Sequence, residues 1–395
     1  MQHVRDLAHQ LAIAARLGAR SLRRRLSGEA PAAATTAEFR ATLEPWVAAL
    51  PPGLATGHAF HWLPATQPPW HDTGLDLEPG ESVTLLADGR VYLSRALDIW
   101  VGPAFQLWCR VGDRGPVFRG TRATHTFTAR EGGRLWLASY FPGEWADASG
   151  RLGTPRDEYA KVSGGLSVLV LRWPGGTDVA GLFRGFARDT RVPGLVLAEA
   201  ARFDQPVPTP EHWDYLWYLG PGEIFRSTLA PDGRRGISCH THGDAGILRR
   251  EARVPLEPGT RLRWSWRMDR LPIDLAEDTL PSHDHLSIAV EFDDGQDITY
   301  YWSSALPEGT VYRCPLLTWR DKETHVVVRS GSGQLGRWLE EERDLHADYA
   351  RILGGPAREV VRVWLIANSL FQRGHGRCEY ARIELEGRRG RIEVL

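Results

Sequence analysis

The sequence predicts an all-β protein: two consecutive antiparallel β-sandwich (jelly-roll-like) domains preceded by a short helical N-terminal segment. Three observations carry that reading. Short runs of alternating polar and apolar residues recur from Trp70 to the C-terminus, the period-two signature of half-buried strands. Glycine (41) and proline (26) punctuate those runs, as tight turns between short strands require. The alanine-rich, helix-period stretch that precedes them stops near residue 64.

Residues 1–64 form the helical segment. Met1 to Leu26 reads as a basic amphipathic helix, with Val4, Leu7, Leu11, Ala14, Gly18 and Leu22 on one side and Arg5, Arg16, Arg20 and Arg23 to Arg25 supplying charge. Such a helix either contacts an anionic membrane or a partner through residues 1–26, or packs on its own protein. After a break from Ser27 to Pro31, Thr36 caps a second helix that Pro51-Pro52-Gly53 stops after Leu50. Residues 65–175 are the first sandwich, with strands after Pro79-Gly80, Gly132-Gly133 and Gly164-Gly165. Residues 176–199 are a linker, in which Leu182 to Phe186 makes one helical turn. Residues 200–395 are the second sandwich, its clearest strands being 262–268, 286–292, 298–302, 325–329, 360–366 and 379–385. One helix, residues 338–353, interrupts it and ends at Gly354-Gly355.

A length of 395 residues calls for two or three cores rather than one. A formal charge of −1 disfavours a nucleic-acid partner, which needs a basic stripe to displace counterions. No run approaches the ~20 apolar residues of a membrane span, and the N-terminus lacks a secretory apolar core, so cytoplasmic residence is the default. Cys109, Cys239, Cys314 and Cys378 are far apart, form no C-x-x-C pair and carry neither a zinc signature nor a disulfide framework. Sixteen tryptophans are the oddest feature, read either as core filling or as platforms for sugars, conjugated molecules or cations. No phosphate-binding or dinucleotide loop, nucleophile elbow or H-E-x-x-H motif is present, so no cofactor and no metal is expected.

Two family resemblances follow. Trp70-His71-Asp72-Thr73-Gly74, Pro79 to Gly89, Leu107 to Gly112 and Ser163 to Val168 are similar to the bacterial PA-I galactose-binding lectins over about 100 residues. That family holds a calcium ion and galactose with an Asn-Asp pair and a later Asn-Asn pair. The corresponding positions here fall near Ser139-Tyr140-Phe141 and Lys161-Val162, whose side chains do not make a calcium shell of six to eight oxygens. Asp147 and Asp157 are the carboxylates left to rebuild one. The second sandwich resembles the bacterial domain of unknown function 3047 through Leu262 to Asp269, Asp284 to Phe292, Tyr300 to Trp302, Val326 to Gly331 and Gly336 to Trp338. Arg343-Asp344 and Asp348-Tyr349 close the match, while the family's late acidic run reads here Asn368 to Gln372. The resemblance brings no activity with it.

Strand alternation sorts the candidate site. Leu286, Ile288, Val290 and Phe292 form an apolar row, and His283, His285, Ser287, Ala289 and Glu291 a polar one. Trp264, Trp266 and Met268 share the apolar side of another strand whose Arg263, Ser265 and Arg267 point away. Side by side, two such strands make a concave polar face with room above it. There Asp284, His285, Glu291 and His283 are the candidate catalytic residues. A histidine near its ordinary pKa of about 6.5 suits proton transfer, and a buried Asp284 would stay protonated. Arg267, Trp266, Tyr301, Trp302, His325, Arg329, Trp338 and Asn368 are the candidate ligand-binding residues, with a Glu291–Arg267 ion pair as the structural alternative. His240 and His242 share a face that Asp244 continues, a second candidate for metal ligation.

These readings favour a cofactor-independent enzyme of cyclase, lyase, hydratase or isomerase type, acting on an organic small molecule by acid/base catalysis in a β-sandwich pocket, as in specialised metabolism. The alternative is a non-catalytic glycan-binding protein, and a third is a scaffold seated by its N-terminal helix.

Overall fold

The computed structural model describes residues 2–27, 33–189, 191–388 and 390–395, so the proposed break at Gly28 to Pro31 and the side chains of Val4, Arg5, Leu7 and Arg25 lie outside it. The chain is mostly β-strand and divides into two compact units: residues 20–207, and residues 1–19 together with 208–395. No helix among the described residues is long and apolar enough to cross a membrane.

Two helices open the chain, α1 (Gln2–Leu26) and α2 (Thr36–Ala48). The buried stripe of α1 is Ile13, Leu17 and Ser21, whereas Leu11 and Leu22 of the expected face are exposed. Residues four apart stack in one row of a helix, and here that row lies beside the one the sequence suggested. The cap of α2 is Thr35 rather than Thr36. Its hydroxyl accepts from the Glu38 N–H at 3.2 Å, and the Glu38 carboxylate accepts from the Thr35 N–H at 2.8 Å, a capping box.

The first unit contains β1 (Gly57–Pro64), β2 (Trp70–Leu77), β3 (Ser82–Ser94) and β4 (Ile99–Val101), then a short α3 (Pro103–Gln106). β5 (Leu107–Val111), β6 (Thr124–Thr128), β7 (Gly133–Ser139) and β8 (Ser163–Trp173) follow. One sheet runs β1-β8-β3-β4 with β6 beside β3, and the other runs β2-β7-β5. β1 pairs with β8 along its whole length, so the sandwich begins before residue 65. The expected linker holds α4 (Val179–Phe186) and the start of α5 (Gly194–Asp204). Their Val179, Phe183, Val196 and Ala200 pack with Phe39, Leu43 and Val47 against Leu86, Leu169, Leu171 and Trp173 of the sheet. These residues are therefore part of the unit rather than a tether.

The second unit starts with β9 (Asp214–Tyr215), β10 (Phe225–Leu229), β11 (Arg235–His242), β12 (Ala245–Pro255), β13 (Arg261–Arg270), β14 (His285–Phe292) and β15 (Asp297–Ser303). It continues with β16 (Val311–Arg313), β17 (Glu323–Ser330), β18 (Trp338–Asp344), α6 (Leu345–Ile352), β19 (Glu359–Asn368), β20 (His375–Gly387) and β21 (Gly390–Glu393). A seven-stranded sheet, β16-β17-β15-β14-β19-β12-β9, faces a six-stranded one, β10-β11-β20-β13-β18 with β21 beside β20. Pairing is antiparallel except between β15 and β17. Residues 338–344 are an edge strand, not the first half of a helix. Their acidic residues make cross-strand pairs, Glu342 with Arg263 at 2.6 Å and Glu340 with Arg382, that suit the charged outer side of a sheet edge.

The core between the two sheets is aromatic. Trp264 stacks on Tyr300 at 5.8 Å, and Trp266 meets Trp302 at 5.9 Å. Trp266 and Trp302 are thus core residues, not a ligand-facing wall, because they sit on the inner faces of β13 and β15. One buried polar knot ties α6 to this core. The Asp348 carboxylate accepts from the Arg343 guanidinium twice at 2.8 Å, from Tyr300 Oη at 2.9 Å and from Arg351 at 2.9 Å. Asp348→Ala strands a buried phenol and a half-buried guanidinium together. It should lower the free energy of unfolding by about 3 kcal/mol, read as a shifted denaturant midpoint with unchanged slope.

Candidate functional site

The alternation inferred from sequence holds, but its assembly into one face does not. Leu286, Ile288, Val290 and Phe292 enter the core, as do Trp264, Trp266 and Met268. β13 and β14, however, belong to opposite sheets. Their polar rows therefore point away from each other, one on each outer face of the sandwich. Arg267 pairs with Asp269 and Glu379, both at 2.9 Å, and Glu291 pairs with Arg362 at 2.9 Å and accepts from Trp364 Nε1 at 3.1 Å. No Glu291–Arg267 pair forms. Arg329 is bidentate on Glu341, and Trp338 lies under the Arg267 guanidinium at 5.8 Å, so both stand apart from the histidines.

The outer face of the seven-stranded sheet does gather His283, His285, His325, Tyr301 and Asn368. The rings of the three histidines form a near-equilateral triangle with centroids 4.8, 4.8 and 4.9 Å apart. Tyr312 stacks on His325 at 5.0 Å, and Tyr301 lies edge-on to His285 and His325 at 5.7 Å. The parallel register sets Glu323 beside Asp297 and His325 beside Thr299, while β14 places Ser287 opposite Tyr301. Cys314, at the end of β16, brings its Sγ to 3.4 Å from His283 Nε2, and Glu323 Oε2 lies 3.5 Å from His325 Nε2. Ligand atoms of His283, Cys314, Glu323 and His325 all fall within 4.8 Å of one another.

This face is not the open concavity that the sequence suggested. Loops 271–284 and 314–322 lie over it, with Ile273, Leu275, Ala276 and Trp319 themselves buried. The Glu277 carboxylate, pushed up to about 7 by burial, accepts from Ser303 Oγ at 2.5 Å and the Ser304 N–H at 2.6 Å, which fastens the first loop to the end of β15. Burial, then His325, hold His283 down to about 4, and burial with both neighbouring imidazoles takes His285 well below its ordinary value. These rings are neutral rather than poised for proton transfer at neutral pH. Asp284 is a loop anchor: its carboxylate accepts the Phe371 and Gln372 amides at 3.0 and 2.7 Å. Asn368 donates to the His283 carbonyl at 2.7 Å.

Open cavities lie elsewhere. A cavity of about 730 Å³ in the second unit is lined by Glu211, Trp213, Arg235, Arg250 and Glu393 among others. Its ionic groups are largely engaged, Arg235 with Glu211 at 3.3 Å and Arg250 with the Val394 carbonyl. A cavity of about 340 Å³ in the first unit is bounded by Leu63, Pro64, Gln67, Pro68, Pro69, Trp70, His71, Ser139 and Arg156. Trp70 is a fixed wall there, stacked on Trp145 at 5.3 Å, covered by Arg110 at 4.3 Å and tied to the Gly150 carbonyl at 3.2 Å. Behind the lining residues His71 and Ser139, Nε2 of His61 and Oε1 of Gln106 are buried without hydrogen-bond partners.

Near Ser139-Tyr140-Phe141, one of the two positions compared with a lectin calcium site, lies an interlocked aromatic set. Tyr159 Oη donates to Glu144 Oε2 at 2.5 Å, Tyr140 Oη donates to the Glu144 carbonyl at 2.8 Å, and the Tyr140 and Tyr159 rings stack at 5.4 Å. Asp147 is engaged by Ser149 and Arg151 of its own loop, which hold it down to about 2, and Asp157 lies in a short exposed turn. On the second unit, His242 and His375 stack at 3.8 Å with His240 nearby, all near the surface, and Asp244 is turned toward Thr241 and the His242 amide instead of them.

Sequence reasoning missed Cys314, Glu323, Tyr312 and Glu277. Glu323-x-His325 has the same strand spacing as His283-x-His285. Only the parallel β15–β17 pairing and the loop return of Cys314 join the two pairs.

Residues 225–384 match the model of a family described as Protein of unknown function (DUF3047), as the resemblance of the second sandwich implied. No curated protein matches the chain. Among solved structures, the EclA N-terminal domain, a PllA-like lectin, is 21% identical, covering 29% of this chain and 94% of its own with a TM-score of 0.22. The xyloglucanase domain of NopAA, a type three effector from Sinorhizobium fredii in complex with cellobiose, is 10% identical over 46% of this chain and 96% of its own, with a TM-score of 0.29. A carbohydrate-binding module of the β-sandwich superfamily is 12% identical over 85% of this chain and 99% of its own, with a TM-score of 0.23.

The His61–His71 contact, 3.1 Å between ring nitrogens, gives this site a pH signature. Burial, then His71, hold His61 down to about 4. Because its folded value lies below its unfolded one of about 6.5, its stabilising effect is complete above pH 6.5 and disappears as pH falls through 4. Half-exposure screens the effect to on the order of 1 kcal/mol. Unfolding free energies of the wild type should therefore fall more steeply over that window than those of His61→Gln, and NMR should place the His61 midpoint near 4.

Proposed function

We propose that the protein binds a saccharide in the first unit, in the cavity bounded by β1, β2 and β7, and that it does so with protein groups alone. The composition of the cavity lining is the observation that carries this reading. Leu63, Pro64, Pro68, Pro69 and Trp70 supply a rigid apolar wall, while Gln67, His71, Ser139 and Arg156 supply an amide, an imidazole, a hydroxyl and a guanidinium. Dispersed donors and acceptors on an apolar floor suit a polyhydroxylated ring, whose hydroxyls and C–H faces alternate. A volume of about 340 Å³ suits one or two sugar rings. Arg156 makes no ion pair among the described residues and no carboxylate lines the cavity, which favours a neutral or acidic sugar.

The lectin-like sequence of this sandwich supports the same class of ligand. The family's calcium positions fall here near Ser139-Tyr140-Phe141 and Lys161-Val162, whose side chains do not make an oxygen shell, so the reading calls for calcium-independent binding. Acid/base catalysis at His283 and His285 is the weaker reading, because both rings are sealed beneath loops and held neutral.

Isothermal titration of the full chain with neutral and acidic mono- and disaccharides tests this proposal, each with and without added calcium. Binding of at least one sugar, unchanged by calcium and weakened about tenfold or more in Arg156→Ala, is the expected outcome. Absence of binding across the panel, or binding that Arg156→Ala and Gln67→Ala leave intact, would remove it.

A further inference from the structure

We propose that His283, Cys314, Glu323 and His325 form a structural zinc site inside the second unit. This inference is independent of the saccharide reading, since it concerns the other unit. Three observations converge on it.

The donor set is that of zinc: two imidazoles, a thiolate and a carboxylate, all buried. Two of its donor pairs already have tetrahedral spacing. Bonds of about 2.0–2.3 Å set tetrahedral donor atoms roughly 3.3–3.8 Å apart. His283 Nε2 and Cys314 Sγ are 3.4 Å apart, His325 Nε2 and Glu323 Oε2 are 3.5 Å apart, and the whole set spans 4.8 Å.

Orphaned atoms point the same way. Both ring nitrogens of His325 are buried without a hydrogen-bond partner, and so is Nδ1 of His285. Leaving such groups unpaired costs roughly 1–3 kcal/mol each, which proteins ordinarily avoid. The third observation is the supporting shell. His283 Nδ1 is 3.0 Å from the Glu277 carbonyl, which fixes the N–H there and turns the lone pair of Nε2 toward Cys314. The Thr299 hydroxyl lies 3.1 Å from Glu323 Oε1, leaving Oε2 directed at His325. Four protein donors leave no open position, so the role is to pin loop 271–284 and the β16–β17 return to the sheet rather than to activate water.

The test uses the full chain without an affinity tag, grown with zinc and dialysed extensively. About one zinc per chain by elemental analysis is expected, with removal by a chelator lowering Tm by roughly 10 °C or more and zinc alone restoring it. Cobalt in place of zinc should give a thiolate-to-metal charge-transfer band that Cys314→Ser abolishes, and His325→Gln should lose the metal while keeping the far-UV circular dichroism of the wild type. His242→Ala with His375→Ala, at the surface histidine stack, should retain the metal. The proposal is overturned if the wild type holds less than about a tenth of an equivalent and gains no stability from zinc, or if the surface pair rather than Cys314 and His325 controls the metal.

Discussion

The second unit depends on one constraint: its seven-stranded sheet is buried on both faces. The inner face meets the six-stranded sheet across an aromatic core, and the outer face lies under loops 271–284 and 314–322. Antiparallel sheets commonly leave one face to water, where a polar row needs no partners. Once covered, each polar group on that row must be satisfied from within. Glu291 finds Arg362 and Trp364, the Tyr301 hydroxyl lies 3.1 Å from that of Tyr312, and Asp284 takes two loop amides. The satisfaction is incomplete at Ser287 Oγ, His285 Nδ1 and both ring nitrogens of His325.

The first unit resolves burial differently. One face of its larger sheet is closed by α2, α4 and α5 through an apolar cluster around Trp173 and Phe183. The fully buried Glu199 of α5 is satisfied there by Thr126 and Arg202, and the small sheet retains an open cavity at the β1–β2 and β7 ends. In the loop after β7, the Tyr140–Glu144–Tyr159 set ties the chain together through two hydrogen bonds and a ring stack.

Much of this was legible in the residues. Period-two alternation assigned Leu286, Ile288, Val290 and Phe292 to the core and His285 and Glu291 to the opposite side, because a strand has only two faces. Alternation says nothing about which strands become neighbours, so β13 and β14 were set side by side when they face each other across the core. Nor does it tell a solvated polar row from a covered one. The Glu- and Arg-rich stretch at residues 338–344 suggested a helix, since cross-strand ion pairs on an edge strand and i,i+4 pairs on a helix use the same residue types. Cys314 and Glu323 were invisible as partners of His283 because they meet it through tertiary structure, at sequence separations no local spacing encodes.

The outer face of the seven-stranded sheet is sealed in the native state beneath loops 271–284 and 314–322. Native-state alkylation read by mass spectrometry tests it most directly, because Cys314 sits on that face while Cys109, Cys239 and Cys378 lie in the cores of the sandwiches. The account predicts that Cys314 resists labelling as long as the other three and reacts only with global unfolding. Rapid labelling of Cys314 alone, in a folded protein, would show that the face is open and would contradict it.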